Sequence, residues 1–439
     1  MTGGTVFVHE NQIQEWYLVT NSVLLVDNPE DMKHVIFVTP FFTENARQFI
    51  TGLVNFDSNI RLSVVSQDIE ENLPEPTHAQ VTRFWKVEDI FNYQEMLEAC
   101  RNMRDEGGPI NRCLVVNEQV QELIASIREA LDIPGMRPAT AKNYRIKQRM
   151  KEVLEKARIP VAQYLKVDGE EEAQKALKKL GLPMVAKPPA GAAAQQTFRI
   201  NTESEWDKFI TEKVRGQDAT WLLEQLLTGQ EGSCDTFCLR GKTVFRTYTQ
   251  YMPSPLEVME NDWIQWQVLL PNPAAGPAYE DIRKLADKTL QALGPEDGWS
   301  HMEWFRLDDG SIRISEVAMR PPGAQFTTLI SRAADFDSIQ AWAKLMIDGE
   351  FQAPKQKFAV GAAYLRGMGE GKVSAINGWE AIQQQYSGLI CDFRIPTIGT
   401  PKGQTYEGEG FVIVRHPDTE VVRSVLLDIV STVRVFLSN

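Results

Sequence analysis

At 439 residues the chain is longer than one hydrophobic core usually serves, so two or three domains sharing a cleft are expected. Hydrophobic residues at 43% and charged residues at 24% are ordinary for a globular protein, and no apolar run approaches the ~20 residues of a membrane helix, which argues against insertion. A net charge of −13 disfavours a nucleic-acid or anionic-membrane partner, because both demand basic patches; a phosphate site here must be built locally.

The first residues, Met1-Thr2-Gly3-Gly4, show no basic region followed by an apolar stretch, so no secretion signal is read and a cytoplasmic location is expected. His34 to Pro40 is a short apolar run ending in a turn, followed by a helix-like stretch from Thr43 to Leu53 and another apolar run, Ile60 to Ser66. That is a β-α-β pattern. A later run, Cys113 to Val116, leads through Asn117-Glu118 into a helix with apolar spacing at Val120, Leu123, Ile124, Ile127 and Leu131. Residues 1–133 therefore read as a small open α/β domain, closed by Ile133-Pro134-Gly135. No GxGxxG follows its strands, which argues against a dinucleotide site there.

From Pro138 the sequence is basic and helical, with Ile146, Met150, Val153, Leu154 and Ala157 on one face and Lys142, Arg145, Lys147, Arg149 and Lys151 elsewhere. These basic residues read equally well as a solvated face. A helix from Glu170 to Leu180 stops at Gly181 with Pro183 beyond, and a strand, Met184 to Lys187, follows. Residues 252–277, rich in proline and asparagine, read as a long mobile loop whose Trp263 and Trp266 would cover a cleft or, equally, pack in fixed positions against a domain surface. Residues 134–352 read as a second domain, and 353–439 as a third with strand-like segments and a final amphipathic helix near Val421 to Phe436. The five cysteines (Cys100, Cys113, Cys234, Cys238, Cys391) lack CxxC or zinc-ligand spacing and read as buried thiols.

The most informative stretch runs from His301 to Ala318. Two strands flank Asp309-Gly310, which suggests a hairpin with a two-residue turn. That register sets Glu303 opposite Glu316 and His301 opposite Ala318. Directly opposed carboxylates repel unless a cation lies between them, and hard oxygen ligands on a rigid hairpin suit Mg²⁺ shared with phosphates. Arg320 continues the face of Glu316 and is stiffened by Pro321-Pro322-Gly323, so its guanidinium can grip a phosphate or carboxylate with two prongs. Upstream, Trp221 to Glu224 is an apolar strand running into Gln225-Leu226-Leu227-Thr228-Gly229-Gln230-Glu231. Such a segment can offer backbone groups to an adenine edge and Glu231 to ribose hydroxyls. Lys187-Pro188-Pro189-Ala190-Gly191-Ala192-Ala193-Ala194 is a strand lysine followed by small residues that let backbone amides approach phosphates.

In order and spacing these pieces resemble the ATP-grasp superfamily, specifically its carboxylate-amine ligase branch, which includes dipeptide-forming amino-acid ligases and relatives of biotin carboxylase. The resemblance implies an α/β and α+β multidomain ATP-grasp fold, with an N-terminal open α/β domain on the substrate side and a small C-terminal closing domain. It implies ATP phosphates on Lys147 and Lys187, adenine on Glu224, Gln225 and Leu226, ribose on Glu231, and two Mg²⁺ ions, with Mn²⁺ as an alternative, on Glu303 and Glu316. Arg320 and His301 would serve the chemistry. The expected reaction turns a small carboxylate into an acyl phosphate and joins it to an amine. Its partners would be those two small molecules; a homodimer is left open. Glu316-Val317-Ala318-Met319-Arg320 stands where the family reads acid-x-Asn-x-Arg, so one customary amide ligand is absent, and Gly191 stands where more glycines are usual. A bicarbonate-using carboxylase, a thiol ligase and a non-catalytic ATP-binding regulator are the rival expectations. No Ser-His-Asp or Cys-His arrangement is evident among the five histidines.

Overall fold

A computed structural model of the chain describes residues 32–56, 59–73, 75–191, 197–272 and 278–439. The first unit is a parallel four-stranded sheet in the order Arg83–Lys86, Ile60–Ser66, Lys33–Thr39, Ile110–Val115. Val35 to Val38 are fully buried, as expected where helices cover both faces of a parallel sheet and the strand must be apolar throughout. Thr43 caps the helix Glu44–Val54 by accepting from the Ala46 amide, which stops the preceding strand and leaves Pro40 and Phe41 at the rim of a cleft.

A smaller antiparallel sheet, Tyr164–Val167, Trp221–Gln225, Met184–Lys187 and Phe198–Ile200, packs against the helices Glu170–Leu180 and Glu203–Phe209 around Trp206, Phe209 and Trp221. The largest sheet is antiparallel and eight-stranded. Its order is Ile312–Ala318, Gly298–Arg306, Gln230–Leu239, Lys242–Met252, Gln267–Leu270, Ala359–Leu365, Gly410–His416, Ile390–Arg394. It runs without a break across the expected boundary at 352/353, because Gln267–Leu270 pairs with Ala359–Leu365. A three-stranded sheet, Gly367–Met368, Arg434–Ser438 and Lys372–Asn377, closes the C-terminal end.

One apolar core joins the units. Phe49 of the first unit meets Trp342 of the helix Ser338–Asp348 edge-on at 5.0 Å, in the same cluster as Phe237, Trp299 and Tyr364 of the large sheet. The opposite face of that sheet carries the helices Lys147–Lys156 and Glu280–Leu293 through Met150, Leu154, Leu290, Met302 and Ile314.

The expected mobile loop at 252–277 is corrected. Residues 255–260 are helical, capped by Ser254, and Gln267–Leu270 is a fully enclosed strand of the large sheet. The apolar run Val268-Leu269-Leu270 is short enough to be overshadowed by the prolines on either side, yet it has ladder neighbours on both edges. Trp266 is 1% exposed and stacked on Tyr364 at 4.8 Å, whereas Trp263 is 69% exposed. Residues 273–277 lie outside the described residues.

The Gln230–Leu239 strand tolerates no side chain at Gly232, where a Cβ would lie 2.2 Å from the Thr249 carbonyl oxygen and 2.6 Å from the Trp304 ring. Gly232→Ala should therefore lower unfolding free energy by about 1–3 kcal/mol or more, as overpacking does in well-filled cores. Urea denaturation measures it; an unchanged midpoint would contradict this packing.

Candidate active site

A cleft of about 870 Å³ opens where the first unit, the small sheet and the large sheet meet. Its floor is the hairpin of Gly298–Arg306 and Ile312–Ala318. Glu303 is opposite Glu316 and His301 opposite Ala318, as the sequence suggested, but the connection differs. Leu307 and Ser311 close the turn through Leu307 N–H to Ser311 O at 2.9 Å, so the loop is Asp308-Asp309-Gly310, with Gly310 at φ +80°. A two-residue turn at Asp309-Gly310 is thus corrected to three residues. A bulge at Ser315, where the register shifts between Glu303 and Trp304, then restores the opposition of the two glutamates.

Cations crowd this acid pair. Lys147, buried at the start of its helix, donates to Glu316 and lies 3.3 Å from the Gly191 carbonyl oxygen. Its own amide bonds Pro189 O at 3.0 Å, which ties the helix to the loop after Lys187. Burial acts against the Glu316 charge, but Lys147, then Lys187 and Arg320, hold its carboxyl down at about 2. Lys187 Nζ lies 3.3 Å from Glu224 Oε2; burial opposes its charge, yet Glu224, Glu316 and Glu303 together hold it above the ordinary lysine range. Ala192 to Ala194 of the expected phosphate loop lie outside the described residues.

Glu224 is buried between two lysines, with Lys151 Nζ 3.2 Å from Oε1. Its side chain therefore faces the cations. The Gln225 amide is taken by Gln163 O at 2.9 Å, so of the three residues expected at adenine, Leu226, just past the strand end, is the one whose backbone enters the cleft wall unpaired among the described residues. Glu231 also lines the cleft; burial and the charge of Glu303 push its carboxyl well above the ordinary range.

His301 Nδ1 is 2.7 Å from Asp235 Oδ1, and its Nε2 is 3.6 Å from Glu303 Oε1. Burial lowers its affinity for a proton, but Asp235 and Glu303 raise it further, to about 9. Ser233 Oγ donates to the other Asp235 oxygen at 2.8 Å. Arg320 does not stand free at the strand end. Its Nε and one terminal nitrogen reach Glu118 Oε2 at 3.0 and 2.8 Å, while Arg145 reaches Oε1 at 3.3 Å. Sequence reasoning missed Glu118, Lys151 and Asp235. Glu118 reads as a helix-start turn residue, Lys151 as one of a solvated row, and Asp235 is found only once His301 is known to be its ladder partner.

The donor set fits a hard cation that completes its shell with phosphate oxygens and water. Glu316 accepts from Lys147 and Glu303 faces His301, and no group of three or more His, Cys, Asp or Glu that could cage a metal occurs among the described residues.

Lys151 is fully buried and has Glu224 as its ion partner. Lys151→Met should destabilise in urea unfolding, by less than the ~3–5 kcal/mol of a fully uncompensated buried charge, since it leaves the buried Glu224 carboxylate with Lys187 alone. Adding Glu224→Gln to it should recover part of the loss; strictly additive single costs would argue against the pairing.

Residues 152–336 match the ATP-grasp domain. The chain is 27% identical over 230 residues to the L-arginine-specific L-amino acid ligase of Bacillus subtilis, covering 51% of this chain and 55% of that protein. It is 24% identical over 198 residues to D-alanine–D-alanine ligase B of Chromobacterium violaceum, covering 44% and 62%. The matches thus span 55% and 62% of those relatives' lengths, less than two thirds of either. The crystal structure of the L-amino acid ligase from Bacillus licheniformis superposes with a TM-score of 0.71 at 17% identity, covering 93% of this chain and 99% of that one. The chain carries an ATP-grasp domain within an ATP-grasp fold.

Proposed function

We propose that the protein is an ATP-dependent carboxylate–amine ligase that joins an amino acid, or a similar small carboxylate, to an amine with release of ADP and phosphate. The observation that carries this reading is one cleft in which the opposed Glu303 and Glu316 lie among Lys147, Lys187 and Arg320. The similarity to amino-acid ligases and a D-alanine–D-alanine ligase favours amino acids on both sides of the new bond.

ATP-grasp enzymes in general use ATP with Mg²⁺ or Mn²⁺. Glu303 and Glu316 would hold the metal, which supplies positive charge against the phosphate oxygens. The backbone at Leu226 and the carboxyl of Glu231 would seat the nucleoside, and Lys147 and Lys187 its phosphates. A substrate carboxylate oxygen attacks the γ-phosphorus, the bond to the β-bridging oxygen breaks, and ADP leaves. The amine then attacks the acyl carbon, phosphate departs, and the amine proton passes to solvent or phosphate. Neither step needs a nucleophilic side chain; both need preorganised cations where charge develops. Arg320 would grip the reacting carboxylate or transferred phosphoryl group, with Glu118 fixing the plane of its guanidinium. His301, kept protonated by Asp235, would add a positive charge beside Glu303.

A phosphate-release screen of amino acids, singly and in pairs, with ATP and Mg²⁺ tests the reaction; ATP binding without turnover across that panel would count against it and favour the regulator. Glu303→Gln and Glu316→Gln should each abolish most turnover with the fold intact by circular dichroism, and wild-type rates in both would sink the metal assignment. Arg320→Lys should leave nucleotide affinity near normal in a binding titration but raise the barrier by about 2–4 kcal/mol, as loss of one transition-state donor does. Full activity in that variant would mean charge alone suffices.

A further inference from the structure

The cleft has an aromatic wall as well as its paired charges. Tyr406 is backed edge-on by Trp266 at 4.4 Å, Phe326 lies 6.5 Å from Trp266, and Phe326 in turn meets the His301 ring at 5.7 Å. The ring of Tyr406 belongs to the same turn as Glu407, which also lines the cleft and is half-buried. The Glu407 amide bonds Thr405 Oγ1, but its carboxylate makes no hydrogen bond or ion pair among the described residues. Arg394, whose charge acts on Glu407, makes its ion pair with Glu44. Burial pushes the Glu407 carboxyl up; Arg394 opposes this and Glu44 adds to it.

A carboxylate left unpaired in a partly dry, ring-walled pocket is unfavourable unless something arrives to match it. A cation meets both features at once, since aromatic faces and a carboxylate each attract positive charge and repel negative. The position is also right for a substrate. Tyr406 and Glu407 line the same cleft as Glu303, Glu316 and Arg320.

We propose that Glu407, with the Tyr406–Trp266 wall, forms a subsite for the positively charged side chain of an amino-acid substrate whose reacting end lies towards Arg320. This rests on the ligase reading for the identity of the substrate, but not for the charge preference of the subsite. Glu407 is a specificity residue in it and touches no reacting atom.

The test compares arginine with citrulline, its neutral isostere, and lysine with norleucine. It follows kcat/KM for ADP formation by the full chain with ATP, Mg²⁺ and the panel of partner amino acids. Arginine should exceed citrulline by about 10- to 100-fold, the size of a desolvated charge contact. In Glu407→Gln that ratio should collapse towards unity through loss on arginine while citrulline is unchanged. Equal rates with arginine and citrulline in the wild type, as binding of only the shared α-ammonium would give, overturn the proposal. So does a ratio unchanged in the variant. If no amino acid supports ADP formation, the ligase reading fails, and calorimetric binding decides the subsite with a non-hydrolysable ATP analogue present. A preference for arginine over citrulline that disappears in Glu407→Gln upholds it; equal or absent binding overturns it.

Discussion

The cleft depends on how charge is balanced where water is scarce. Glu224 sits buried between Lys151 and Lys187, and Glu316 is matched by Lys147. An isolated charge at any of these depths would be prohibitively costly, so each must be placed so that a partner from a different element meets it. Those partners come from the helix Lys147–Lys156, the strand Met184–Lys187, the strand Trp221–Gln225 and the hairpin. The charge pairing therefore fixes how the small sheet sits on the large one as surely as the apolar clusters do. Hydrophobic burial alone is non-directional and would leave that alignment loose.

The same logic extends to the first unit. Glu118 follows the last parallel strand and enters the cleft at the carboxyl edge of that sheet, where open α/β sheets commonly place their ligand groups. By accepting from both Arg320 and Arg145 it couples three segments distant in sequence. Arg320 is thus held in one orientation by the protein itself. The loop after it carries two consecutive non-glycine residues in the left-handed region, Ala324 at φ +50° and Gln325 at +64°. Such strain persists only where the surroundings over-determine the backbone, and here Tyr364 donates its hydroxyl to the Ala324 carbonyl.

Local signals carried much of the fold. Apolar runs such as Val35 to Val38, capping residues such as Thr43 and the Asp-Gly turn all act within a few positions of themselves, so they are legible without knowing what packs where. The opposition of Glu303 and Glu316 was legible too, though through two offsetting departures: a turn one residue longer than assumed and a bulge of one residue at Ser315. A hairpin whose two acids must face each other can absorb both changes because each shifts the register by one. What stayed hidden was long-range. Gln267–Leu270 is a strand only because two neighbours supply its ladder, and Lys151 looks like any surface lysine until Glu224 is brought beneath it.

Rigidity and openness are divided accordingly along the cleft. Around the opposed glutamates most of the described ionisable side chains are paired, so on the proposed reading a phosphate or metal would compete with existing bonds, and Lys147 would exchange one anion for another. Such exchange costs little when the incoming charge is of the same sign and the geometry is already set, which is the condition for preorganised electrostatics. In the aromatic wall Trp266 is held between Tyr364 and Tyr406, while the Glu407 carboxylate has no hydrogen bond or ion pair among the described residues. Selectivity between substrates is a difference in free energy, and a group already satisfied by the protein contributes little to it. On the ligase reading proposed above, the paired charges would serve what every turnover has in common, and the aromatic wall with Glu407 what distinguishes one substrate from another.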